Sequence, residues 1–112
     1  MGNRNDLRGA FGSLSDTLLF RFDPGASEEL RAQWLGTVNL HASIARRTAD
    51  WIALAFECEA YDRVIAALNG ATSALVISGS EIETLAALDQ ARAAIHQAAG
   101  LLDANPCAGE HA

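Results

Sequence analysis

The chain has 112 residues, half of them hydrophobic, and carries a net charge of −6 with a pI near 4.8. That length suits one domain with one core, and the apolar content argues against intrinsic disorder. The acidity argues against binding nucleic acid, which needs a basic face to displace counterions, and against docking on anionic lipid.

The charge is unevenly spread. Residues 1–56 hold six Arg and six acids, and residues 57–112 hold two Arg and eight acids. The ordinary reading of such an acidic half is solubility. There is no run of 18 apolar residues to span a membrane. The first residues lack the apolar core and cleavage pattern of a signal peptide, and Met1-Gly2 is not followed by the Ser or Thr at position 6 that myristoylation needs; Asp6 stands there. With Cys58 and Cys107 as the only cysteines, no disulfide framework is expected, and the cytoplasm is the expected compartment.

In chain order, a first helix is expected over 5–20, with Leu7, Phe11, Leu14 and Leu18 on one face. Gly9 and Gly12 weaken it by about 1 kcal/mol each. The segment Leu18–Phe22 has an extended alternative, and Asp23-Pro24-Gly25 reads as a turn. The next helix spans 27–57, opened by Ser27 as N-cap and by Glu28 and Glu29 at the positive end of the helix dipole. An unbroken helix of that length reaches about 46 Å, whereas a compact globule of this chain is about 34 Å across. It therefore breaks near Gly36-Thr37, or the protein is elongated, or a second chain covers the overhang.

Residues 59–78 form a third helix with Val64, Ile65 and Leu68 on one side; Asn69-Gly70 and the β-branched Val76-Ile77 leave open whether it is one piece. Ser80 and Glu83 make a capping box. The last helix, 81–103, carries Leu85, Leu88, Ile95 and Leu102 and ends at Asn105-Pro106. The expectation is an all-α, up-and-down bundle of three or four helices. It forms one domain over 1–104, is open to completion by dimerisation, and has a flexible tail at 105–112.

The helix at 27–57 is apolar most of the way round. One stripe is Leu30, Trp34, Val38, Ala45, Ala49, Ile52 and Phe56. A second, about 120° away, is Leu40, Ile44, Trp51 and Cys58, flanked by Leu54 and Ala55. Either the chain's other helices cover both stripes, or one stripe meets another molecule. On the second account the contact residues are Trp51, Leu40 and Ile44, with Trp34 in the core, and the partner is a second copy or another protein.

Residues able to carry chemistry are few. His41 and Thr48 fall seven apart on the first stripe and suit a pocket between helices, although a buried, hydrogen-bonded histidine is the commoner arrangement. Asp89, Arg92 and His96 form a ladder on the last helix, usually a set of solvated side-chain pairs. Glu57, Cys58, Glu59 and Asp62 have the composition of metal ligands but not the spacing, and Cys107 with His111 lacks a second pair. Ser43, Thr48 and Ser73 have no visible base partner. No motif calls for a cofactor or metal or points to a family. The leading expectation is a non-enzymatic interaction module; the alternative is a small-molecule binder or small enzyme with a pocket between helices.

Overall fold

A computed structural model describes residues 3–107. Five helices follow one another: α1 (Asn3–Phe20), α2 (Glu28–Ala45), α3 (Thr48–Ala53), α4 (Glu59–Ile77) and α5 (Glu81–Ala104). The fold is all-α, a bundle of four long helices with α3 as a short crosspiece.

Local chemistry sets the helix ends. The Ser27 hydroxyl accepts from the Leu30 amide at 3.1 Å and satisfies one of the orphan donors at the start of α2. Ser80 does the same for Glu83 at 3.2 Å, while its own hydroxyl donates to the Glu83 carboxylate. The capping box thus closes through the Ser80 side chain. At the far end of α5, Asn105 takes the left-handed conformation (φ 42°) and donates its amide to Leu101, after which Pro106 prevents continuation.

Three long-range ties give the helix directions. The amide of Arg4 donates to the carbonyl of Phe56, just before α4, so α1 and α4 run the same way. The Ser27 hydroxyl donates to Glu81, and Arg47 pairs with Asp103 at 2.7 Å, so α2 and α5 run together, opposite to the first pair. α1 packs mainly on α4, α4 on α5, and α5 on α2, with a lighter contact between α1 and α2. The connection from α2 to α4 therefore crosses the lower end of the bundle, and α3 makes that crossing. The molecule is elongated, 51 × 23 × 18 Å.

Burial follows the helical periodicity. Leu7, Phe11, Leu14 and Leu18 are buried on α1, as are Tyr61, Val64, Leu68, Ala71 and Leu75 on α4. On α5, Ala87, Ala91, Ala94 and Ala98 are buried beside Leu88 and Ile95, and their small side chains let neighbouring helices approach closely. α4 is one helix: Asn69-Gly70 does not end it, and a β-carbon on Gly70 would lie 3.2 Å from the Gln90 side-chain nitrogen of α5.

Three expectations are corrected. The helix expected at 27–57 does not run unbroken, nor does it break at Gly36-Thr37. It turns ten residues later, at Arg46-Arg47, where Arg47 adopts ψ 41° and its guanidinium binds Asp50 (2.6 Å) and Asp103. The turn resolves the two stripes: the first is covered, in part, as far as Ala45 and then abandoned, leaving Ile52 and Phe56 exposed. The second takes over, with Trp51, Leu54 and Cys58 buried. Next, Cys58 and Cys107 are joined by a disulfide, their Cα atoms 5.7 Å apart. Finally, the segment expected as a loose tail is fastened as far as Cys107, which is buried; residues 108–112 lie outside the described residues.

Candidate functional site

Of the residues singled out as contacts, Trp51 sits inside the molecule. Trp51 is only 4% exposed and packs against Phe11, ring centroids 5.5 Å apart. Leu40 and Ile44 are half-buried against the same core. Burying Trp51 removes a large apolar area from water within one chain, so it is a core residue and not a surface anchor. Trp34 is core too, and its indole N–H donates to the Leu18 carbonyl at 2.7 Å, near the end of α1 where helical partners run out.

His41 and Thr48 do reach one shallow groove, shared with Arg8, Asp16 and Trp51. His41 is nevertheless engaged: Nε2–H donates to the Phe11 carbonyl at 2.7 Å, and the imidazole stacks on the Phe11 ring at 3.8 Å. Burial lowers its pKa, against a smaller opposing effect of that hydrogen bond, and so favours the neutral ring. The Asp89–Arg92–His96 ladder is split. Arg92 pairs with Asp89 and donates to Thr37 Oγ1 of α2 at 3.0 Å, while His96 points to solvent. Arg92 thereby pins α5 to α2.

The lower end is a polar clasp. Arg4 donates to the carbonyls of Ile52 (3.2 Å) and Leu54 (3.0 Å) and lies over the Phe56 ring, while Asn105 donates to the Ala53 carbonyl. These bonds occupy backbone groups that the short α3 leaves open. Tyr61 is fully buried there, and burial raises its phenol pKa, opposed by the Ala55 backbone and by Arg4. Glu57, Cys58, Glu59 and Asp62 do not converge; among the described residues no group of three or more His, Cys, Asp or Glu is placed to hold a metal ion. His111 lies outside the described residues.

The upper end is different. α1 and α4 finish there and α5 begins there, and all three bring apolar side chains into water: Phe20 is 89% exposed, Ile77 78% and Ile82 81%, with Leu19 and Val76 also exposed. Periodicity alone hides this signal, because these residues sit at helix termini, outside the stripes that define the core. Around them are Arg21, Arg31, Asp23, Glu28, Glu29, Glu81 and Glu83, all exposed.

Beside this end, between the 21–26 loop, α2 and the α4–α5 turn, is a pocket of about 180 Å³. Phe22, Leu30, Trp34 and Leu75 make its apolar wall, Ser78 and Thr84 its polar side, and Arg21 and Arg31 stand on its lining. The bond from Ser27 to Glu81 ties the two sides of the adjoining surface. Among the described residues no helix is long and apolar enough to cross a membrane. No protein-family model, curated protein or solved structure matches the chain.

Proposed function

We propose that the chain is a non-enzymatic interaction module that self-associates through the upper end of its bundle. The observation that carries this reading is the exposure of Phe20, Ile77 and Ile82 at one end of the molecule. Isolated exposed apolar residues are ordinary, but a concentration of large ones is characteristic of contact surfaces. A two-fold contact must be complementary to itself. A two-fold axis through this end would set the exposed Phe20, Ile77 and Ile82 of one copy against the same residues of a second. Buried aromatic and aliphatic anchors would supply most of the affinity.

The compartment is read from the cysteines. A disulfide between Cys58 and Cys107 persists where thiols are oxidised, which favours an oxidising compartment over the cytoplasm.

Light scattering on a sizing column over a concentration series tests the self-association, comparing the native chain with Phe20→Asp and Ile77→Asp. The expected result is a native dimer and monomeric variants with unchanged helical circular dichroism. A native chain that stays monomeric at every concentration overturns the reading.

A further inference from the structure

We infer that the pocket between the 21–26 loop, α2 and the α4–α5 turn is a binding site for a small monocarboxylate with a single-ring apolar body. Its size points to that class. An apolar cavity of about 150 Å³ holds one benzene ring, and this pocket measures about 180 Å³. The space is enough for one ring with a short acidic arm.

The lining has two parts. Phe22, Leu30, Trp34 and Leu75 present an apolar wall, and the one polar atom of Trp34, its indole N–H, is already given to Leu18. Trp34 is almost wholly buried, so it offers a ligand only the small part of its side chain that lines the pocket. On the polar side, the Ser78 hydroxyl donates to the Leu75 carbonyl at 2.9 Å and that of Thr84 to the Ser80 carbonyl at 2.8 Å. Both hydroxyls are engaged within the chain, which leaves the guanidinium groups as the charged donors on the lining.

Arg21 and Arg31 have no ion pair or side-chain hydrogen bond among the described residues. They differ in this from Arg4, Arg47 and Arg92, which are all engaged. The pocket's one acid, Asp23, accepts from the Gly25 amide at 2.9 Å and shapes the loop. The lining thus carries a net positive charge in a chain of net charge −6. Planar guanidinium groups beside an apolar wall match a carboxylate on an aromatic ring, through paired N–H donors.

The experiment titrates phenylacetate, with phenylacetamide as its neutral counterpart, into the native chain and into Arg21→Gln/Arg31→Gln, following the Trp34 indole N–H by NMR. Both arginines are exposed, so the double variant keeps the fold, which the unperturbed Trp51 indole signal verifies. The expected result is saturable movement of the Trp34 signal by phenylacetate with a dissociation constant of about 1 mM or tighter. Phenylacetamide should be at least about tenfold weaker, and so should phenylacetate on the double variant, as befits loss of charge-assisted hydrogen bonds. No saturable movement, or equal binding of acid and amide, overturns the site. Repeating the titration on Ile77→Asp separates this result from the oligomeric state, because Ile77 does not line the pocket.

Discussion

The His41 imidazole lies against the Phe11 ring at 3.8 Å and donates to the Phe11 carbonyl at 2.7 Å, so one residue of α1 provides both stacking and a hydrogen bond for α2. Burial holds this histidine below its ordinary 6.5, and the fold therefore binds the neutral ring. Such a group contributes stability in full above pH 6.5. That contribution is lost as pH falls through 6.5 toward the folded value, because the unfolded chain then takes up the proton first. A melting series from pH 7.5 to about 5, above the carboxylate range, should show stability falling by at most about 1.4 kcal/mol per pH unit. His41→Gln should flatten the slope; an equal slope in the variant would remove His41 as its source.

Trp51 gives a sharp test of the core. Trp51→Ala should cost about 3–5 kcal/mol in urea unfolding, while Phe20→Asp, compared at concentrations where the native chain is monomeric, should change stability by less than about 0.5 kcal/mol. A small loss at Trp51 would mean that the tryptophan is not buried within the chain.

Gly36 lies inside α2 and exposed, and a β-carbon there meets nothing within 4 Å. Gly36→Ala should therefore stabilise the protein by about 0.5–1 kcal/mol through helix propensity. Destabilisation would instead place a needed bend at that position.

The cross-link between Cys58 and Cys107 spans a separation of 49 residues. On the chain-entropy account, closing a loop of that size stabilises by about 4 kcal/mol. Reductant should lower the melting temperature of the native chain markedly and leave that of Cys107→Ser unchanged. A native chain that shows two reactive thiols before reduction, or melts identically with and without it, would contradict the bond.

These outcomes bear on how much of the molecule is legible in its residues. The buried face of α1 follows directly from Leu7, Phe11, Leu14 and Leu18, and the start of α5 from Ser80 and Glu83, because helical spacing and capping are local. The turn at Arg46-Arg47 is not legible in that way. No Gly or Pro marks it, and its anchors are Asp103, 56 residues away, and the burial of Trp51 beneath α1. The two stripes of the 27–57 segment were visible, but their meaning depended on the turn. With a straight helix they imply an outside partner; with the turn, each is covered over a different stretch of chain. The pairing of Cys58 with Cys107 likewise arises from the α4–α5 hairpin, which returns Cys107 to the level of Cys58. The candidate site was the least legible part, since Phe20, Ile77 and Ile82 share one end of the molecule only because α1 and α4 finish where α5 begins.

The covalent link also gives the molecule an unequal topology. Residues 58–107 form a closed ring made of α4, α5 and the turn at 78–80, while α1, α2 and α3 belong to an open strand that leaves the ring at Cys58. A protease cutting once at the exposed Gly79 or Ser80 would open the ring without dividing the molecule, and a denaturing gel would show two fragments only after reduction. A single cut between α1 and α2, at the exposed Pro24 or Gly25, would give two fragments on the same gel whatever the redox conditions. After one cut the C-terminal half thus stays a single covalent piece, while the N-terminal half is held by packing alone.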